Sequence, residues 1–251
     1  MPELACPIAA GPPADQAAGL RRIFAHAPVQ WSLVLQPAAR SESGARGLAD
    51  RARQLAAQFG HTLVIDCART QLAASMGMAL RYDLEHVLAS DCALEDACLA
   101  AEKFLWVLPA AKALDAAYAD KHHAQTVALA IQAVASAMRH VMLVLPATRV
   151  SWIENLPGLQ NAREALIPVV RGADSGAAVL TAVRQAAGEA QIDTFHLLFL
   201  GMPEAGAGRL LTGLAAIAQR HFGARLLAVP PSSVAHAAEP GARSRSVESV
   251  F

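Results

Sequence analysis

Two rhythms of hydrophobic and polar positions alternate along the chain. Short, nearly unbroken apolar runs stand at 32–35, 61–67, 104–108, 141–145, 165–170, 195–200 and 225–229. Between several of them lie longer stretches with apolar residues three and four apart. In 48–59 these are Leu48, Ala52, Leu55, Ala56 and Phe59, and in 122–139 they are Val127, Ile131, Val134 and Met138. The first rhythm predicts buried strands and the second predicts amphipathic helices, with two more helices over 176–187 and 207–222. A loop with a helical turn is expected over 70–79, and two short helices over 82–88 and 94–99. Pro168 inside 165–170 predicts edge character for that strand, because proline cannot donate to a ladder. Strands alternating with helices over the whole span predict an α/β fold, a mostly parallel sheet with helices on both faces. The unit 31–67 organises the rest. It reads as strand, loop over 38–47, helix ended by Gly60, and a second strand ending on Asp66, joined by a right-handed crossover. A ligand of such a sheet sits at the carboxyl ends of its strands.

This pattern places one α/β domain at 29–231. Residues 1–28 form an extension and 232–251 an Ala/Ser/Arg/Pro-rich tail with no apolar stripe at helical spacing, which is expected to be disordered. Within the extension, 15–24 reads as a short helix. Asp15 can cap it, and Ala17, Leu20 and Phe24 share one face. Such a helix can dock on its own domain or serve as a linear motif for a partner protein. With Gly19 inside it, the helix is marginal alone and is expected to be loosely docked, or to fold when it binds.

Lysine plus arginine balances aspartate plus glutamate, 21 against 21, so charge gives no reason to expect nucleic acid or an anionic membrane as partner. Cys6, Cys67, Cys92 and Cys98 form no CxxC and no zinc-ligand spacing, which predicts incidental thiols in a reducing compartment and no metal site. Residues 1–13 lack a charged segment followed by an apolar core, and no apolar run approaches the ~20 residues needed to span a bilayer. A cytoplasmic protein is expected. Ser151, Ser175 and Ser232 lack a nucleophile-elbow setting, and no residue is singled out as catalytic.

Several stretches together resemble the MinD/ParA-type ATPases with a deviant Walker motif, and within them the FlhG (FleN) regulators of flagellar number and placement. Asp15-Gln16-Ala17-Ala18-Gly19-Leu20-Arg21 matches the DQAxxLR motif of that group. Arg81-Tyr82-Asp83-Leu84-Glu85-His86-Val87-Leu88, Leu94-Glu95-Asp96-Ala97 and Val107-Leu108-Pro109-Ala110-Ala111 resemble its region after the second strand. The resemblance implies a P-loop NTPase fold. It also implies binding, through Asp15, Gln16, Ala17, Leu20, Arg21 and Phe24, to the signal-recognition-type GTPase FlhF, with stimulation of GTP hydrolysis. Other flagellar basal-body or polar proteins are further possible partners.

The nucleotide motifs depart from the pattern. A GKGGxGKT loop needs glycine N–H groups, a lysine on the β/γ-phosphates and a threonine hydroxyl on Mg²⁺. Here Ser43, Gly44, Arg46 and Gly47 occupy its second half, with Arg46 against the lysine, Gly47 against the threonine and Glu42 adding negative charge. Asp66 keeps a carboxylate at the end of the second strand. The strand 141–145 runs into Pro146 where a Walker B aspartate belongs, and Gly201 stands where an adenine-reading asparagine belongs. A pseudo-ATPase is expected, with no ATP or Mg²⁺ cofactor, no membrane anchor of its own, and recruitment to the membrane or pole by FlhF. The alternatives are a divergent ATPase using Arg46 and Asp66, with ATP and Mg²⁺, and a nucleotide-independent cell-pole scaffold.

Overall fold

The computed structural model describes residues 28–37, 41–172 and 174–229. The residues 15–24 and 232–251 singled out above lie outside them. The first strand, β1 (Gln30–Gln36), is followed by α1 (Glu42–Phe59) and β2 (Thr62–Asp66). Three short helices follow, α2 (Leu72–Ser75), α3 (Leu84–Leu88) and α4 (Leu94–Ala97). A hairpin of β3 (Leu99–Glu102) and β4 (Leu105–Pro109) leads into α5 (Ala111–Ala119), α6 (Lys121–Ala135) and β5 (His140–Pro146). A 3₁₀ segment (Ala147–Asn155) precedes β6 (Glu164–Val170), α7 (Ser175–Glu189), β7 (Thr194–Leu200), α8 (Glu204–Phe222) and β8 (Arg225–Ala228).

The strands form one eight-stranded sheet in the order β3-β4-β2-β5-β1-β6-β7-β8, antiparallel only at the β3–β4 edge. The most apolar strand, β5, lies between β1 and β2, and all of its residues except Pro146 are buried. Alternation divides the core. Leu33, Leu35, Leu63, Ile65, Leu143 and Phe195 face the layer that holds α5 to α8. Val34, Val64, Val107, Met142 and Val144 face α1, which buries Leu48, Ala52 and Leu55 on them. The expected parallel sheet with helices on both faces is what forms.

Two expectations are corrected. The strand carrying Pro168 is not an edge: β6 lies between β1 and β7, and the open edge on that side is β8. The β1–β6 ladder consists of the single pair Val34–Leu166, so Pro168 falls beyond it, while β6 pairs with β7 from Glu164 to Val170. The proline shortens one ladder without ending the sheet. The second correction concerns the expected loop over 38–47, of which residues 42–47 are helical. Ser41 caps α1, its Oγ accepting from the Gly44 N–H at 3.0 Å, and the helix starts at Glu42. The glycines that suggested a loop serve close packing. A Cβ on Gly47 would stand 2.2 Å from Leu200 Cδ2, and one on Gly44 3.3 Å from Val170 Cγ2. They let the first turns of α1 lie on the carboxyl ends of β6 and β7.

Candidate functional site

The carboxyl ends of β1, β2 and β5 are where a ligand of this sheet would sit. Ser43, Gly44, Arg46 and Gly47 stand beside them, on the ends of β6 and β7, on the first two turns of α1 and not on a loop that could wrap a phosphate. Glu42 and Arg46, one turn apart, form an exposed ion pair with each other. The Arg46 guanidinium thus already has an anionic neighbour, and Glu42 places negative charge at the helix N-terminus, where a phosphate would compete with it. Gly47 supplies no side-chain oxygen, and Leu200 fills the space beside it.

Asp66 ends β2 as expected and is buried. Its Oδ1 accepts from the Ala68 N–H at 2.9 Å, and its Oδ2 accepts from the Thr70 N–H and hydroxyl, both at 2.9 Å. These bonds bind the carboxylate to its own loop. Of the nearby cations, Arg69 pairs with Asp115 at 2.7 Å and Arg46 with Glu42. The loop contains two non-glycine residues in the left-handed region, Arg69 at φ +53° and Gln71 at φ +63°. Asp66 thus holds a turn that the backbone would not adopt readily.

The strand ends beside it carry little charge. β5 finishes at Leu145-Pro146 and β7 at Leu200, followed by Gly201 at φ +66°. A cavity of about 250 Å³ at the ends of β1 and β5 is lined by Gln36, Ala68, Thr148, Ala178 and Gln185, with no charged residue among its described lining. That volume is below the ~300–1,000 Å³ of typical small-molecule sites. Among the described residues no three His, Cys, Asp or Glu side chains are grouped to hold a metal ion. Burial pushes the Cys98 thiol up to about 11 and raises that of Cys67 well above its ordinary value, which makes both poor thiolates at neutral pH.

Asp83 was missed by sequence reasoning as an organising residue. Its buried carboxylate caps α3 through the Glu85 N–H at 3.1 Å and takes the Lys112 and Ala113 N–H groups of α5 at 3.1 and 3.2 Å. The Asp83–His86 spacing is a capping-box signal, with His86 Nδ1 accepting from the Asp83 N–H at 3.0 Å. Asp83 and His86 border a cavity of about 460 Å³ at the ends of β2 and β4, together with Arg69, Arg81 and Lys112.

The sequence matches no family model and no curated protein. Solved structures with the same fold do exist. The MinC:MinD cell division protein complex of Aquifex aeolicus matches with a TM-score of 0.54 and 16% identity over 82% of each chain. Apo McdA of Cyanothece matches with a TM-score of 0.53 and 13% identity over 81% of this chain and 87% of that one. A ParA family ATPase from Chlorobium tepidum gives 0.53 and 14% over 81% and 84%. The chain therefore has the fold of the MinD/ParA-type P-loop ATPases. No helix among the described residues is long and apolar enough to cross a membrane.

Proposed function

We propose that this chain is an FlhG-like regulator that acts on an FlhF-type GTPase through its N-terminal Asp15–Arg21 stretch and binds no nucleotide of its own. The observation that carries the reading is the DQAxxLR match at Asp15, Gln16, Ala17, Leu20 and Arg21, on a chain whose domain has the MinD/ParA fold. The state of the nucleotide end supports the second half. Arg46 is held by Glu42, Gly47 is closed over by Leu200, and Asp66 accepts from the Thr70 hydroxyl of its own loop. In this reading Leu20 and Phe24 are apolar anchors in a groove of the GTPase. Gln16 and Arg21 face its nucleotide, where a charge-assisted contact offsets developing phosphate charge. Location at the membrane or pole follows the partner.

The test is GTP turnover by an FlhF-type GTPase with the full chain added. Leu20→Ala is expected to weaken the complex by roughly 1–3 kcal/mol, as for a buried anchor. Gln16→Ala is expected to spare binding and reduce stimulation. Unchanged binding and turnover after deletion of residues 1–24 would remove the assignment.

A second expectation addresses nucleotide. ATP and ADP with Mg²⁺ are expected to bind more weakly than about 1 mM, which is only about −4 kcal/mol. Calorimetry that detects micromolar affinity would favour the divergent ATPase instead.

A further inference from the structure

The register of the sheet leaves one row of side chains open. Val34 pairs with Leu166, Leu166 with His196, and His196 with Leu227, so one residue from each of β1, β6, β7 and β8 stands side by side on the α1 face. Helix α1 covers β1 and, through Gly44 and Gly47, the carboxyl ends of β6 and β7. Among the described residues no element covers the amino-terminal halves of β6, β7 and β8 on this face. The result is a groove of about 670 Å³ with Leu55, Met142, Leu166 and Leu227 as apolar lining and Arg51, Glu164 and His196 as polar lining. Leu227 is 41% exposed, an unusual setting for a leucine in a strand of an α/β sheet.

We propose that the groove is the docking site of this chain's own residues 15–24, lying as a helix across the four strands. The chain outside the described residues ends at the groove: β1 starts at Gln30, and the next two residues, Trp31 and Ser32, line it. Residues 25–29 can span up to about 17 Å at ~3.3–3.6 Å each, enough to turn the chain back onto the sheet. Four strands at ~4.8 Å spacing measure about 14 Å from first to last. A ten-residue helix is about 15 Å long. With Phe24 over β1, a rise of ~1.5 Å per residue sets Arg21 and Arg22 over β6 and Asp15 over β8. Arg21, which flanks the apolar stripe, then meets the complementary Glu164, two residues before Leu166 on β6 and on the same face. The stripe Ala17, Leu20 and Phe24 then lies on the leucine floor. The other end of the chain also leaves the described residues beside the groove, at Val229, and the photoreactive group at Val234 tests it as the competing occupant.

The docking itself does not depend on any GTPase. If residues 15–24 do engage one, as proposed above, Leu20 and Phe24 cannot face both surfaces at once, and the partner must lift the helix from the groove.

The experiment replaces Phe24 in the full chain with photoreactive p-benzoylphenylalanine and maps the crosslinks in an equal mixture of isotopically light and heavy chains. Crosslinks within one chain to Trp31, Leu55 or Leu166 are expected. They should fall about tenfold in Leu20→Asp and in Leu227→Asp, each of which places a charge against an apolar surface. Leu227 is exposed enough for that variant to keep its fold, which the melting curve checks. Light–heavy crosslinks would replace the proposal with a second copy as occupant. Crosslinks elsewhere, or none, would overturn it, as would capture of Leu166 or Leu227 by the same photoreactive group placed at Val234. No GTPase is present, so the outcome is independent of the partner assay.

Discussion

Asp66→Ala is expected to lower the stability of the domain by about 2–4 kcal/mol, with no change in nucleotide binding. The buried carboxylate receives the backbone N–H groups of Ala68 and Thr70 and the Thr70 hydroxyl. Alanine leaves these donors with no acceptor in a site that water reaches poorly, and each such group costs ~1–3 kcal/mol. It also releases a turn with Arg69 and Gln71 in the left-handed region, which persists only while its surroundings enforce it. For a domain of this size the melting temperature should fall by roughly 5–15 °C. Asp66→Asn should fall between, because the amide oxygen can still accept from a backbone N–H while the amide NH₂ cannot accept from Thr70. A variant that melts like the parent but changes the response to ATP would return Asp66 to a nucleotide role and weaken the function proposed here.

The legibility of the fold follows from where its determinants lie. β5 and β2 are apolar runs buried on both faces, and the stripe of α1 is local, so each could be read from its own residues. The start of α1 could not. Ser41-Glu42-Ser43-Gly44-Ala45-Arg46-Gly47 has loop composition, and its helix is held by a cap at Ser41 and by packing on Val170 and Leu200, more than 120 residues away in sequence. Helix α5 was overlooked for a related reason. The cap of its first turn is Asp83 on a different element. β3 is a four-residue antiparallel edge whose hairpin turns through Phe104 at φ +66°, with no glycine to mark it. At the candidate site, the position of Asp66 was readable and its function in the loop was not, because the Ala68 and Thr70 donors reach it only through a turn with Arg69 and Gln71 in the left-handed region, which no glycine marks. The open row Val34–Leu166–His196–Leu227 depends on strand register and was invisible in the sequence.

His140 should make the domain sensitive to mild acid. It begins β5, is 2% exposed, and stacks on Phe59 with ring centroids 4.9 Å apart. Its Nε2 lies 2.9 Å from Ser32 Oγ, and its Nδ1 is buried with no partner among the described residues. Burial first, and then the nearby Arg51 guanidinium, push its pKa from the usual 6.5 down to about 4. The sign follows from linkage. Between those two values the unfolded chain binds a proton at this histidine and the folded chain does not, so protonation favours unfolding. The stability is whole above pH 6.5, declines as the pH falls toward 4, and below that loses no more through this residue. The total loss is about 3 kcal/mol, a large part of what holds an ordinary domain together. His140→Phe removes the titrating group and the unpartnered Nδ1 while keeping a ring against Phe59. Urea unfolding of both proteins from pH 7.5 to 4 isolates the term. The parent should lose about 3 kcal/mol more than the variant across that interval. Parallel profiles would mean that His140 takes up its proton in the folded state and that the strand end around Phe59, Ser32 and Arg51 opens to water.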